Sequence, residues 1–557
     1  MVNDVLIVLK SAGVDAQASH LEKPPQPEFG DVSFPCFSLS KIYRKNPAQI
    51  AQEIASKAKI PKGSMVSKVD ARGGYVNFHY DYQKFAASVL SPERKKRKPG
   101  AQRVMVEYSQ PNPVHPMHIG HARNTLLGDS LANILEFAGN KVTRANYMNN
   151  VGLQVAKLVA AYDMWGEGKE PEGKPDAWLW KLYIRFHEEE KVNPKLEESA
   201  RRLLLKYEVE RDAATVKRWD RIVGWCIGGF KETYRRLGVD FDVYFYEIDY
   251  RAPGREIVKQ IIRKNIAAKT EEGAVFADLT SHGIPGTIIQ RSDGTGLYIT
   301  SDLGLSVHKF EKYKLDRSIW VTASDQDTHF QQLFKILEVS GYKFHDRCQH
   351  FSYGLVDLPE GKMSSRQGRA VMLDDVMDEM VALADAEVSK RNPDMSGADR
   401  KKIAGQIAIG ALKYAMVRIE PRMNMTFDWD QMMSLEGNTG PYLQYAHTRC
   451  SSILRKSGKF VAAKSHGEIN DYEKALLRKL SEFNHVAESA ARESRPSVVC
   501  NYGFELATAF NSFYHNSQVI GLPDPKQTRF RLTIVNKTRE TMKKVFGLIG
   551  MEAPDKM

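Results

Sequence analysis

Two histidines, His118 and His121, are the first residues whose spacing could support chemistry in this chain of 557 residues. They lie where a Pro- and Asn-rich segment gives way to the apolar spacing of a helix, with Gly120 between them. The first turn of a helix offers unpaired N–H groups and a positive dipole end to phosphates. Two imidazoles on one face could donate hydrogen bonds as negative charge builds at phosphorus, and Gly120 would allow close approach. The pattern predicts a nucleotide phosphate site; two ordinary surface histidines are the alternative.

A second candidate is the segment Gly361–Arg366, which reads GKMSSR and follows a candidate strand. Lys362 could reach the β- and γ-phosphates of ATP, and the hydroxyls of Ser364 and Ser365 could bind phosphate oxygens. Met363 lies between them, and the arginine that ends the segment, Arg366, could add positive charge. A solvated basic turn is the alternative interpretation.

The elements around both segments are those of a parallel sheet. Arg103–Tyr108 is a near-continuous apolar run, as expected of a strand buried on both faces. A helix is predicted from about His118, and Val142–Asn149 can form the next strand. Further strands are predicted at Ser318–Ala323 and Phe351–Leu358. The predicted fold is an α/β Rossmann-like catalytic domain with a doubly wound parallel sheet and an insertion, a small N-terminal α/β domain and an all-α C-terminal bundle.

Changes of pattern along the chain predict four regions. Residues 1–95 are expected to form the N-terminal domain, and residues 96–373 the catalytic domain, with its insertion at about 164–290. Residues 374–425 are predicted to be a helical connecting region, and residues 426–557 a helical domain.

The composition excludes several classes of protein. The chain has 80 Lys and Arg against 68 Asp and Glu, a formal net charge of +12 that permits a polyanionic partner without requiring one. No run of 18 apolar residues occurs, so we expect no membrane span. The five cysteines are isolated, which excludes a disulfide scaffold and a closely spaced cysteine zinc pair and favours a reducing cytoplasm. The basic run Arg94–Lys98 is interpreted as a solvated linker rather than a phosphate contact.

The histidine motif and the GKMSSR segment together resemble the two signature motifs of the class I aminoacyl-tRNA synthetases. Further segments resemble the arginyl-tRNA synthetase family within that class. They are Val106–Pro113, Ser292–Asp302 and Gly437–Ala446, with Gly73–Phe78 in its appended first domain and Met551–Pro554 in its closing segment. Because these segments occur in the right order over nearly the whole chain, the sequence is identified as a member of that family.

The resemblance implies a two-step reaction. ATP, as its Mg²⁺ complex, would activate L-arginine as the adenylate, and the 2′-OH of the terminal adenosine of tRNA-Arg would then take the arginyl group. The family also implies that tRNA must be present for adenylate formation. We expect no protein-bound metal, no membrane partner, and a monomer.

The resemblance assigns Asn112, Tyr298, Asp302 and Gln326 to the amino acid, and it implies Glu107 as well. A guanidinium requires fixed anions that match its planar fork. Asp302, helped by Tyr298, is our prediction for that role. The two residues are four apart, so they share a face if their segment is helical; a helix N-cap is the alternative for Asp302. Glu107 could hold either the guanidinium or the α-ammonium, and Asn112 and Gln326 would fix the other end of the substrate.

Two positions depart from the family pattern. Ser365 stands where many class I enzymes carry a second lysine, and His115 stands where this family sometimes has one; Arg366 or Arg369 could supply the missing charge. The segment Asn149-Asn150-Val151-Gly152 stands where the family usually has an aspartate before its glycine, which leaves the hydrogen bonding near the substrate ammonium open.

The helical domain is expected to bind the anticodon. Tyr442, Tyr445 and Arg449 could stack on splayed bases, whereas a core role is the alternative for the tyrosines. The first domain is expected to contact the outer corner of the tRNA. Two other functions remain open: a synthetase-like tRNA-binding protein without activity, and a class I synthetase for another amino acid, such as cysteine, whose enzyme needs a zinc site.

Overall fold

The structure is a computed structural model that describes residues 2–92, 100–292, 296–357, 371–465 and 467–557. The basic run Arg94–Lys98 lies outside these residues. The chain forms two compact units. The first comprises Met1–Lys95, Cys450–Glu482 and Thr508–Arg539, and the second comprises Lys96–Arg449, Phe483–Ala507 and Glu540–Met557.

The secondary structure is mixed in the first three quarters of the chain and almost wholly helical after that. The strands are β1 (Val32–Pro35), β2 (Val66–Arg72), β3 (Tyr75–Tyr80), β4 (Arg103–Glu107), β5 (Lys141–Met148), β6 (Val243–Tyr246), β7 (Ala267–Lys269), β8 (Val275–Ala277), β9 (Thr287–Gln290), β10 (Arg317–Ala323), β11 (Cys348–Tyr353), β12 (Val356–Asp357) and β13 (Met425–Thr426). The helices are α1 (Val2–Ser11), α2 (Phe37–Tyr43), α3 (Pro47–Lys57), α4 (Tyr82–Val89), α5 (Ile119–Phe137), α6 (Leu153–Trp165), α7 (Pro175–Val192), α8 (Lys195–Leu205), α9 (Ala213–Leu237), α10 (Glu247–Arg263), α11 (Tyr298–Tyr313), α12 (Asp327–Val339), α13 (Leu373–Arg391), α14 (Gly397–Arg418), α15 (Trp429–Met433), α16 (Gly440–Ser457), α17 (Asp471–Glu493), α18 (Ser497–Asn516) and α19 (Pro525–Ile549).

A parallel sheet forms the centre of the second unit, and it confirms the predicted fold class. Its five described strands lie in the order β11-β10-β4-β5-β6. Val104, Met105 and Val106 of β4 are almost fully buried, as the apolar run predicted for a strand covered on both faces. From β4 the chain runs through α5 to β5 on one side, while β10 lies on the other side. Such a switch point is where doubly wound sheets bind ligands, beyond the carboxyl ends of the strands.

The edge strand β6 was not predicted from the sequence. It lies within the stretch expected to be an insertion, yet it pairs in parallel with β5, from Ala145 opposite Val243 to Met148 opposite Tyr246. Four residues are too few to display a strand period, and the charged helices α7–α9 before them obscure the return to the sheet. The chain then forms α10, the small antiparallel sheet β7-β8-β9, and α11.

The first unit contains the antiparallel sheet β1-β3-β2, in which β3 follows directly after Gly73-Gly74. Helix α3 begins at Pro47, where the side chain of Asn46 accepts a hydrogen bond from the N–H of Ala48. In the same unit, Arg478 of α17 contacts Asp31 with an N–O distance of 2.8 Å. No helix among the described residues has the length and apolar character needed to span a bilayer.

Candidate active site

The histidine pair forms the N-terminal cap of α5. His118 is the N-cap residue, and its Nδ1 accepts the N–H of Gly120 at 3.1 Å. The N–H of His118 donates in turn to Nδ1 of His121, also at 3.1 Å. Because each Nδ1 accepts a hydrogen bond, the hydrogen-bond network assigns the ring proton of each neutral imidazole to Nε2. Both rings therefore offer an Nε2–H donor at the positive end of the helix.

The two imidazoles are uncharged at neutral pH. Burial, with a smaller contribution from the nearby His115, lowers the pKa of His118 to about 4. Burial, together with His118 and His115, holds the pKa of His121 well below its usual value. The ring centroids of His118 and His121 are 3.9 Å apart, and His115 lies 5.7 Å from each of them. The pair can thus donate hydrogen bonds to an anion without carrying a positive charge.

The residues expected to act on ATP from the second motif lie outside the described residues. They are Lys362, Met363, Ser364, Ser365, Arg366 and Arg369.

The described segments on either side of that motif are both joined to the start of α5. Val371–Leu373 pairs with Met117–Ile119: the N–H of Ile119 donates to Val371 O at 3.1 Å, and the N–H of Leu373 donates to Met117 O at 2.8 Å. On the other side, the buried guanidinium of Arg123 donates to the carbonyls of Gly354, at 2.7 Å, and Leu355, at 3.1 Å. Both flanks are therefore anchored to the helix that carries the histidine motif.

Glu107, the last residue of β4, forms a buried ion pair. Its Oε2 lies 2.5 Å from Nζ of Lys309, and both side chains are 2% exposed or less. Its Oε1 accepts a hydrogen bond from Nε2 of Gln110 at 3.1 Å. Glu107 thus already has a positively charged partner within the protein, the ammonium of Lys309.

The segment that carries Tyr298 and Asp302 is helical, so the two residues lie one turn apart on α11. The helix begins at Tyr298 with Leu297 as its N-cap, so the N-cap alternative for Asp302 was wrong. Oδ2 of Asp302 lies 2.7 Å from Nε2 of His329 on α12. Tyr298 is 58% exposed and lines a cavity of about 670 Å³ together with Asn112. Asp302 has no Lys or Arg partner among the described residues.

Glu247, the first residue of α10, was missed by the sequence analysis. Its carboxylate is buried, accepting Nη2 of Arg251 at 2.6 Å and Nδ2 of Asn149 at 3.2 Å. Burial, the largest effect, and the charge of Asp302 together raise the pKa of Glu247 to about 7, against the lowering effects of Arg251 and Asn149. The only sequence feature that could have drawn attention to Glu247 is an arginine four positions later. That pattern is typical of exposed helices, so it did not indicate a site residue.

These side chains belong to one buried set of charges. The set, which we call the charge cluster, consists of four carboxylates and three cations: Glu107, Glu208, Glu247 and Asp302 with Lys309, Arg251 and Arg255. The carboxylates outnumber the Lys and Arg side chains by one, and Asp302, whose partner is His329, is the carboxylate without a Lys or Arg. A buried negative charge is costly unless it is paired, so the cluster favours one additional cation.

The two remaining candidates, Gln326 and Asn150, make no hydrogen bond with the side chains of this cluster within the described part of the chain. Gln326 is exposed at the end of a short turn after β10, and its amide donates to Asp325 at 3.3 Å. Asn150 is buried, with its carbonyl accepting Nε1 of Trp219 at 2.9 Å and its side-chain oxygen accepting the N–H of Ile248 at 3.2 Å. Among the described residues, no group of three or more His, Cys, Asp or Glu side chains could hold a metal ion.

Tyr442, Tyr445 and Arg449 lie half-buried on α16. Nη2 of Arg449 donates to the hydroxyl of Tyr445 at 3.2 Å, and its guanidinium lies 4.8 Å from the ring centroid. Tyr442 packs against Phe504, with centroids 5.6 Å apart. Tyr445 also lines a cavity of about 520 Å³, together with Trp429 and the last residue, Met557.

Comparison with known proteins finds the same family in all three parts of the chain. The family model described as tRNA synthetases class I (R), catalytic domain, matches residues 86–429. The DALR anticodon binding domain matches residues 443–557, and the arginyl tRNA synthetase N terminal domain matches residues 2–80.

Individual relatives match over nearly their full lengths. The arginine–tRNA ligase of Halothermothrix orenii is 35% identical over 546 residues, covering 96% of this chain and 95% of the relative. That of Clostridium perfringens is 34% identical, covering 98% of both chains. The solved arginyl-tRNA synthetase of Thermus thermophilus is 28% identical with a TM-score of 0.83, covering 100% of this chain and 99% of that one.

Proposed function

The chain belongs to the arginyl-tRNA synthetase family, and on that premise we propose that it joins L-arginine to tRNA-Arg in two steps. In the first step, the arginine carboxylate attacks the α-phosphorus of ATP and pyrophosphate leaves. In the second, the 2′-OH of the terminal adenosine attacks the arginyl-adenylate and AMP leaves. The observation that carries this proposal is a charge cluster lacking one cation, at the switch point of a sheet whose next helix begins with two neutral histidine donors.

The histidine cap supports a role in binding and activating ATP. The Nε2–H groups of His118 and His121, with the N-terminal dipole of α5, would stabilise the charge that develops on the phosphates. Gly120 leaves the backbone open to close approach. Lys362, with Met363, is proposed to reach the β- and γ-phosphates. Catalysis then consists of positioning and charge stabilisation, with no covalent enzyme intermediate.

Three further residues of the second motif complete the proposed catalytic set. The hydroxyls of Ser364 and Ser365 would bind phosphate oxygens, and Arg366 would supply the positive charge that a second lysine supplies elsewhere in the class. The anchoring of Val371–Leu373 beside the histidine cap supports this assignment, because it brings the chain to the correct end of α5.

The charge cluster supports recognition of the guanidinium. Asp302, with Tyr298 one turn away, is proposed to pair with the guanidinium, and Glu247 accepts further N–H groups from it. Glu107 is already paired with Lys309, which favours a part in shaping the pocket over direct neutralisation of the substrate. Asn112 and Gln326 are proposed to contact the α-amino and carboxylate end.

The partners follow from the same premise. ATP is used as a substrate, and Mg²⁺ is proposed to arrive on its phosphates, because that ion prefers oxygen ligands and retains water. Tyr442, Tyr445 and Arg449 are proposed to contact the anticodon; the cavity beside Tyr445 is wide enough to admit a base. The first domain is proposed to contact the outer corner of the tRNA, and the active form is proposed to be a monomer.

Charging of a tRNA-Arg transcript tests this proposal. We expect ATP-dependent charging with arginine and no charging with lysine or cysteine. His121→Ala should lower the rate of arginine- and tRNA-dependent ATP–pyrophosphate exchange by about 10²–10³-fold, because one donor to the transition state is lost. His121→Gln keeps an N–H near the Nε2 position and should retain more activity.

Two outcomes would overturn the proposal. Binding of tRNA without exchange or charging would identify an inactive relative. Charging with a different amino acid would identify another specificity.

A further inference from the structure

Tyr147 carries a buried hydroxyl for which none of the described residues provides a hydrogen-bond partner. It is the penultimate residue of β5 and is 6% exposed, and its hydroxyl oxygen has no hydrogen-bond partner among the described residues. A buried polar group without a partner lowers the stability of a protein, so such groups are uncommon and point to something that the free protein lacks.

The sheet register places Tyr147 on the face that carries the charge cluster. Ala145 of β5 is the register partner of Glu107 of β4, and Tyr147 lies two residues after Ala145 on β5. Register partners and residues two apart point to the same side of a parallel sheet. Tyr147 is itself the partner of Phe245, two residues before Glu247. The tyrosine therefore lies between the strand that ends in Glu107 and the strand that leads to Glu247.

The surrounding charges agree with this placement. Burial, followed by the charges of Glu247, Asp302 and Glu107, raises the pKa of Tyr147 well above its ordinary value. The hydroxyl therefore keeps its proton at neutral pH. It can donate to a carboxylate of the cluster while its oxygen accepts a hydrogen bond from a ligand.

We propose that Tyr147 is a further arginine-binding residue, whose hydroxyl accepts an N–H of the guanidinium held by Asp302 and Glu247. This assignment rests on the proposed function. A guanidinium has five N–H donors in one plane, and a neutral acceptor satisfies one of them without adding a second uncompensated charge. The ammonium of lysine has a different shape and fewer donors, so the same hydroxyl would contribute to discrimination between the two amino acids.

The substitution Tyr147→Phe in the full chain tests the proposal. Isothermal titration should show the Kd for L-arginine raised about tenfold, because a hydrogen bond to a charged group is lost. The melting temperature of the unliganded protein should stay the same or rise, because the variant removes only a hydroxyl that had no partner. A tyrosine that served packing alone would leave the Kd for L-arginine unchanged.

Tyr414→Phe is the matched control. The hydroxyl of Tyr414 is also buried in the second unit, but it donates to Asn438 and lies 2.9 Å from the carbonyl of Cys500. Its removal should lower the melting temperature and leave the Kd for arginine unchanged.

The proposal for Tyr147 is overturned if Tyr147→Phe binds arginine as tightly as the unaltered chain, or loses affinity only in step with its melting temperature. Failure of the proposed function gives a different pattern. In that case the unaltered chain does not bind arginine, or Asp302→Asn binds it equally well.

Discussion

At the scale of single residues, the site depends on groups held in a particular protonation state. The sequence predicted that His118 and His121 begin a helix, since their spacing and position are local properties. It did not predict that each Nδ1 is used in the helix cap, which directs both Nε2–H groups outward. Glu247 was missed because its burial depends on contacts with Asn149 and Arg251, which only the folded chain brings together.

The raised pKa of Glu247 predicts that arginine binding depends on pH. Its pKa is about 7 in the free protein, and a bound guanidinium would favour the ionised form and lower that pKa. Below pH 7 the carboxyl group of Glu247 must therefore lose a proton before it can pair with the guanidinium of arginine. The Kd for arginine should rise about tenfold between pH 8 and pH 6.

Isothermal titration over that range measures the effect, and Glu247→Gln is the control. In the variant, the part of the pH dependence that is due to Glu247 should disappear. A profile that is the same in both proteins would contradict the assignment of this pH dependence to Glu247.

At the scale of elements, the pocket depends on the close crossing of α10 and α11. A Cβ on Gly254 would lie 1.9 Å from the carbonyl oxygen of Thr300, and one on Gly304 would lie 2.8 Å from the backbone N of Gly254. The two helices therefore touch through their backbones, which brings Glu247 beside Asp302. The spacing of Tyr298 and Asp302 is compatible with a helix but did not predict α11, and the partner of each glycine is a tertiary property that one sequence does not reveal.

Gly254→Ala should separate the two helices. The added methyl meets backbone rather than a movable side chain, so we expect a loss of about 1–3 kcal/mol in the free energy of unfolding and a raised KM for arginine. Gly224→Ala is the control, since that glycine lies inside α9 with nothing within 4 Å of the added carbon. It should stabilise the chain by about 0.5–1 kcal/mol. Urea unfolding measures the free energy of unfolding of each variant, and charging kinetics measure its KM for arginine. If the two variants gave the same values, the close-crossing interpretation would be refuted.

At the scale of the whole molecule, composition and order of motifs predicted the architecture well. The parallel sheet, the small N-terminal domain and the helical C-terminal region follow from local periodicity, which a single sequence displays. The position of β6 and the charge balance of the pocket do not follow from local periodicity, because they depend on which distant segments of the chain meet. The net charge of +12 is likewise a property of the whole chain, and it bears on how a polyanion is attracted.

Binding of tRNA should weaken as salt increases. Each phosphate contact made by Lys or Arg releases counterions from the RNA, so the logarithm of the association constant should fall linearly with the logarithm of the salt concentration. Filter binding at several salt concentrations measures the slope, and the Kd for arginine, which depends on buried charges, should change far less over the same range. An affinity for tRNA that does not change with salt concentration would contradict this expectation.

The central claim is that Asp302 supplies the negative charge that selects the guanidinium. Steady-state charging by Asp302→Asn, with arginine and ATP varied in turn, tests it most directly. Loss of a charge-assisted pair should raise the KM for arginine about 10- to 100-fold and leave the KM for ATP near that of the unaltered chain. An unchanged KM for arginine would contradict the account.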